Sequence, residues 1–196
     1  MYARQKTLQD FINVAHVLFQ NQALPQAARE LSCKVFRRLA TESDDGKRNL
    51  TIYPACIYLD RALASVPADE TPLACAARSV KELEPFIGWQ RRTTGLNGSE
   101  NYVENHVNGM IVGPGGMESR YDVQLGFSLL APNTRYPDHQ HVPEEAYVLL
   151  TAGEFKQGNG DWFEPGIGGG LYNRSNISHA MRSRNLPFFA FWCLLV

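Results

Sequence analysis

The hydrophobic period of this chain changes once, near Trp89, and that change confines the fold to helices followed by an antiparallel sheet. Before it, apolar residues recur every three or four positions. Phe11, Val14, Ala15, Leu18 and Phe19 form one stripe, and Leu31, Val35, Phe36 and Leu39 a second. Ile52, Cys56, Leu59 and Leu63 make a third, and Leu73, Ala77, Val80 and Leu83 a fourth. Breakers fall between them at Leu24-Pro25, Ser43-Asp44-Asp45-Gly46, Pro67 and Pro72, and Glu84-Pro85 ends the last. After Trp89, glycines (Gly95, Gly98, Gly113 to Gly116) separate short segments rich in Val, Ile, Tyr and Phe. Val123, Leu125, Phe127 and Leu129 alternate with small or polar residues, and 146–150 and 188–195 read as further strands. The expected fold class is α+β. Residues 1–87 form a helical N-terminal extension packing on an antiparallel β-barrel or jelly roll over 88–196.

The formal net charge of −1 leaves no basic footprint for nucleic acid and no polybasic membrane patch. No apolar run nears the roughly 20 residues that span a bilayer. The opening Met-Tyr-Ala-Arg-Gln-Lys-Thr lacks the layout of a secretory signal. Cys33, Cys56, Cys75 and Cys193 show no C-x-x-C pair, and buried, reduced thiols are expected. A cytoplasmic protein is expected, with a small-molecule substrate and a homodimer as the candidate assembly. The helical half carries no evident chemistry; His16 reads as a packed or surface histidine.

The chemistry lies further along. His139, His141, Glu145 and Tyr147 share one parity, so on extended chain they project the same way, with alternate residues about 6–7 Å apart. Glu144 points away. Two imidazoles, a carboxylate and a phenol, closed by the distant His179, suit one divalent transition metal (Zn, Fe or Mn) with room for a ligand.

The order His139-x-His141-x3-Glu145, Gly153, Pro165-Gly166 and His179 resembles the two motifs of a cupin barrel. It departs from them in a longer Glu145–Gly153 interval and an insertion, Ile167 to Asn173. With Tyr136 and Tyr147 added, residues 136–179 resemble the cupin-type dimethylsulfoniopropionate (DMSP) lyases, which split DMSP into dimethyl sulfide and acrylate. That resemblance implies a C-terminal cupin barrel and His141, Glu145 and His179 as metal ligands, with Tyr147 completing the shell. It places His139 behind the ligands or along the pocket, positioning substrate or relaying protons.

Elimination from DMSP removes a proton from the carbon beside the carboxylate while the sulfide departs. A divalent metal acts as the Lewis acid. A tyrosine can be the base, but lowering a phenol by ~3 units takes about 4 kcal/mol of preference for the phenolate. Tyr147 is the first candidate base and Tyr136 the second. Aromatic faces attract onium groups by roughly 0.5–2 kcal/mol each, and Trp162, Tyr172 and Trp192 are the candidates for such a cage around the sulfonium, alongside Tyr136 and His139. The run Gly168-Gly169-Gly170 has no phosphate-binding spacing and reads as a flap over the pocket. An Fe(II) cupin dioxygenase would use nearly the same ligands, and a non-catalytic small-molecule-binding cupin is the other rival. A helix-turn-helix in residues 1–87 would need a basic recognition helix; Cys33-Lys-Val-Phe-Arg-Arg38 is the nearest approach and reads as a solvated helix face.

Overall fold

The structure, a computed structural model, describes residues 4–196; the first three residues of the stretch read for a leader lie outside the described residues. Helix α1 (Lys6–Phe19) buries Leu8, Phe11, Ile12, Ala15, Leu18 and Phe19, and α2 (Gln26–Leu39) buries Ala28, Leu31, Val35, Phe36 and Leu39. The third stripe is shorter than its spacing predicts. Ile52 is 79 % exposed and non-helical. Pro54, which has no N–H and holds Tyr53 extended, starts a 3-10 segment (Pro54–Tyr58) leading into α3 (Leu59–Ala64). Helix α4 (Pro72–Leu83) opens on Thr71, whose hydroxyl accepts from Ala74 N, with proline at the first position where its missing N–H costs nothing. No helix among the described residues is long and apolar enough to cross a membrane.

Eight antiparallel strands follow: β1 (Gly88–Gln90), β2 (His106–Val112), β3 (Val123–Leu130), β4 (Glu144–Leu149), β5 (Glu154–Gln157), β6 (Gly170–Asn173), β7 (His179–Arg182) and β8 (Phe188–Leu195). Six form one sheet in the order β1-β2-β3-β8-β4-β6, and β5 pairs with β7 in a second. One face of the large sheet (Leu125, Phe127, Leu129, Ala146, Val148, Phe191, Cys193) shares a core with the helices, α2 lying on β4 and β8. Its other face (Tyr147, Leu149, Phe188, Ala190, Trp192, Leu194) joins Phe155 and Met181 of the small sheet in a separate core. Burial on both faces explains the unbroken apolar run of β8.

Register places side chains in rows across the inner face. Gln90, Asn108, Ser128, Ala190 and Leu149 pair in turn, as do Met110, Gly126, Trp192 and Tyr147. A third row runs Gln124, Leu194, Glu145 and Asn173. The Trp192 ring lies where a Cβ on Gly126 would stand, 2.6 Å away, so glycine there lets the indole lie flat on the sheet.

The glycine run at 168–170 is no flap. Gly168 N donates to Leu149 O, Gly168 O accepts from Asn21 Nδ2, and Gly170 opens β6 with its Cα so close to Tyr147 O that a Cβ would overlap it at 1.9 Å. These bonds hold the turn against β4 and the connection between α1 and α2.

Candidate active site

His139, His141 and Glu145 do not share one strand. Val142 and Pro143 form a bend between the histidines and β4, so the sheet's alternation carries only Glu145 and Tyr147. His139 is instead fixed by a bridge: its N–H and carbonyl both bond to His179, at 3.0 and 2.8 Å. Its ring centroid lies 4.0 Å from that of His179. The ligand atoms of His139, His141 and His179 all fall within 4.8 Å of one another. Glu145 Oε2 sits 3.3 Å from His141 Nε2 and 3.2 Å from His179 Nε2.

Each of the three rings is oriented by the same device. Nδ1 donates to a carbonyl two residues away: Pro137 for His139 (3.0 Å), Pro143 for His141 (2.8 Å) and Ile177 for His179 (3.0 Å). A carbonyl only accepts, so the proton resides on Nδ1 and the neutral ring presents the Nε2 lone pair. His179 Nε2 is buried with no hydrogen bond; although near Glu145 Oε2, it is not aligned to share a proton with it. Glu145 is itself held by Asn173 Nδ2 (3.0 Å), and Asn173 by Gln157 Nε2 (2.7 Å). Three oriented imidazole lone pairs, one of them orphaned, around an anchored carboxylate fit a divalent metal of mixed N/O preference.

The electrostatics point the same way. Burial works against ionising Glu145, but the imidazoles of His141 and then His179 beside it prevail and hold its carboxyl well below the usual range. Burial lowers the His141 pKa, yet Glu145 outweighs it and the net shift is upward. Burial, then His179, lowers the His139 pKa to about 3. A buried carboxylate held ionised among imidazoles is a site that favours a cation.

These groups open onto a cavity of about 230 Å³, lined from the three rows by Gln90, Asn108, Ser128, Met110, Trp192, Tyr147, Gln124, Leu194 and Glu145, together with Arg92, Tyr136, His139, His141 and Met181. That volume suits a small ligand. A groove of about 940 Å³ lies elsewhere, between the loops at Ser43–Lys47 and Ser119–Asp122, with no imidazole in its lining. Tyr147 is 3 % exposed, packed on Phe155 at 5.0 Å, its hydroxyl interacting with Glu145 and Ser128. Burial, then the Glu145 charge, raises its phenol well above the ordinary value. Tyr136 Oη accepts from Arg92 Nε (3.2 Å) and Asn108 Nδ2 (3.3 Å). Burial raises its pKa, and Arg92 opposes the shift.

Trp192 lines the cavity, but the other two expected cage aromatics do not. Trp162 stacks on the guanidiniums of Arg182 (4.2 Å) and Arg135 (5.3 Å). Tyr172 pairs with Ala146, whose side chain faces the helices, and its hydroxyl donates to Glu144 there. The first is taken up by cation–π stacking and the second is excluded by strand parity. Sequence reading did not reach Arg92, Asn108, Ser128 or Asn173. Only Asn108, a lone amide inside the apolar segment 106–112, offered a signal.

A family model described as dimethylsulfoniopropionate lyase matches residues 27–190. The chain belongs to this lyase family. No curated protein matches the chain. The structure is similar to one reported under "Crystal structures of DMSP lyases RdDddP and RnDddQII", with a TM-score of 0.71 at 18 % identity, covering 99 % of this chain and 94 % of that one. It is similar to the same degree (TM-score 0.71, 18 % identity) to the DMSP lyase DddQ from Ruegeria pomeroyi DSS-3, covering 97 % of this chain and 91 % of that one. At such identity these two likenesses establish a common fold; membership of a carbon–sulfur lyase family rests on the family match.

Proposed function

We propose that this lyase cleaves DMSP to dimethyl sulfide and acrylate by metal-dependent β-elimination, with Tyr147 as the base. The observation that carries the reading is the convergence of three oriented Nε2 atoms and Glu145 beside the buried Tyr147 hydroxyl, in one small cavity. His141, Glu145 and His179 would hold the metal, with Tyr147 completing its shell. His139, across the bridge from His179, stands close enough to join them or to line the pocket. A bound divalent metal (Zn, Fe or Mn) supplies Lewis acidity and the positive field that a buried phenol needs to ionise.

The chain's own groups do the rest. Unaided, burial keeps Tyr147 protonated, so its role as base depends on the charge balance that Glu145 and the histidines set. The Trp192 face, with Met110, Met181 and Leu194 beside it, presents an apolar, polarisable wall to the dimethylsulfonium. Residues 1–87 act as a helical extension that backs the cupin barrel of 88–196, and the unpaired thiols are consistent with a cytoplasmic protein.

The test is headspace dimethyl sulfide from purified protein and DMSP, with and without oxygen, in native, chelated and metal-restored samples. Release that stops on chelation, returns with metal and ignores oxygen is expected. No release from folded, metal-loaded protein would overturn the reading, and release only with oxygen would favour the dioxygenase.

A further inference from the structure

We propose that Arg92 is the carboxylate seat of this pocket, the group that captures a short monocarboxylate and sets which end of the substrate enters. The inference rests on the lyase reading for the identity of the substrate, but its geometry does not.

Arg92 is the only Lys or Arg in the cavity lining. It lies two residues beyond the end of β1. Arg91 turns outward to Glu104 (2.6 Å) and the Tyr53 ring, whereas Arg92 turns inward to Tyr136. The neighbouring guanidiniums are all engaged with carboxylates: Arg135 with Asp138, and Arg182 and Arg184 with Glu154. Among the described residues Arg92 makes no ion pair. One of its five donors goes to Tyr136 Oη (3.2 Å), which leaves the planar end of the fork for a ligand. An unpaired guanidinium beside a small cavity matches a carboxylate in both charge and shape.

The position is built rather than incidental. The Arg92 backbone N–H donates to Nε2 of His106 (3.0 Å), a residue with no exposed surface. His106 Nδ1 faces the Tyr102 carbonyl, so the ring is neutral and its Nε2 is a fixed acceptor. The same ring meets Tyr136 edge-on at 4.8 Å, which sets the phenol that Arg92 touches. Asn108, bonded to both Tyr136 Oη (3.3 Å) and Ser128 Oγ (2.7 Å), completes a rigid polar end. Gln90 and Gln124 extend it along β1 and β3, while Met110, Trp192 and Leu194 supply apolar surface. A substrate with an anion at one end and a soft, methylated cation at the other has its anion drawn to Arg92.

Acrylate and its uncharged counterpart acrylamide test this directly by calorimetric titration of metal-loaded and metal-depleted protein. Wild type is expected to prefer acrylate in both forms. In the metal-depleted form R92Q should lose about 10- to 100-fold in acrylate binding, the range for a hydrogen bond to a charged group, and bind the two probes alike. R92K should regain part of the preference, since it keeps the charge but not the fork. With DMSP, R92Q should show a raised KM and a kcat that changes far less. A residue that only supported Tyr136 would not alter the discrimination between charged and neutral probes.

Metal-depleted wild type that treats the probes alike would overturn the proposal, as would metal-depleted R92Q that still prefers acrylate. Arg92-dependent preference without any dimethyl sulfide release would uphold the seat and sink the lyase reading. Dimethyl sulfide release with no such preference would do the reverse.

Discussion

Replacing Tyr147 by phenylalanine separates the chemistry of this site from its architecture, because the structure assigns the two very different magnitudes. The ring stays: it keeps its contact with Phe155 at 5.0 Å and its place beside Trp192 in the register. Only the hydroxyl goes, and its neighbours are not orphaned. Ser128 Oγ already donates to Asn108 Oδ1 (2.7 Å), and Glu145 keeps Asn173 Nδ2 (3.0 Å). The stability change is therefore that of one net hydrogen bond, about 1 kcal/mol. For a chain of this length that shifts the melting temperature by about 2–4 °C. Loss of a positioned base, by contrast, costs about 10²–10⁴ in turnover, or roughly 3–5 kcal/mol of barrier at 1.36 kcal/mol per decade.

Three readings of the variant distinguish the causes. Metal content reports the ligand shell, the thermal melt reports the fold, and dimethyl sulfide release at saturating DMSP reports the chemistry. The expected result is a folded protein melting within a few degrees of wild type, able to take up metal, with turnover down at least a hundredfold. Global unfolding cannot imitate this, since a rate loss of that size by unfolding would need several kcal/mol and a far larger melting shift. Near-native turnover with metal in place would refute the assignment and move the base to Tyr136, to be checked by Y136F. A loss of turnover matched by loss of metal would make Tyr147 a ligand first.

H141A and H179A should each lose bound metal when assayed by elemental analysis after dialysis, and N173A, which frees the Glu145 carboxylate, should weaken metal binding about 10–100-fold. Gly126→Ala places a Cβ 2.6 Å from the Trp192 ring and 2.3 Å from Gly109 O; overpacking of about 1–3 kcal/mol and a raised KM for DMSP are expected, and an unaltered melt and KM would contradict the packing described. Arg182, then Arg184, depresses the Glu154 pKa below 4.5. This group's stabilisation is thus present above pH 4.5 and lost as pH falls through the lower folded value, so E154Q should lower the melting temperature at neutral pH and converge with wild type in acid. Cys193 is wholly buried, with its thiol pKa raised by burial, while Cys33, Cys56 and Cys75 are partly exposed; a thiol reagent should label those three in the native protein and reach Cys193 only on unfolding.

The local parts of the fold and site were legible in the sequence, and the lateral parts were not. Helices α1, α2 and α4 follow stripes whose whole signal lies within one turn or two. His141, Glu145 and Tyr147 are close in sequence, so their spacing could be read directly, with the distant His179 added to close the shell. Tyr172 failed as a pocket residue for a reason that spacing cannot convey. Its partner is Ala146, and a one-residue difference in register would have turned it inward beside Tyr147. Trp162 went to Arg182 and Arg135, residues distant in sequence with no pattern linking them to it.

The same logic explains why Arg92 escaped the reading although it stands nearest to one candidate base. The histidine end of the cavity is drawn largely from one segment, 136–147, whereas the polar end is assembled across strands. Gln90, Asn108 and Ser128 are neighbours only because β1, β2 and β3 pair in one register, and Arg92 joins them only because buried His106 holds its backbone. If substrate orientation is set at that assembled end, then shifting the β1–β2 register should disturb orientation before it disturbs metal. A variant that removes the His106 acceptor, H106F, is the measurement that follows: metal stoichiometry should hold while the preference for acrylate over acrylamide falls. Parallel loss of both would mean that the two ends are one structural unit, and that Arg92 is not an independent determinant of orientation.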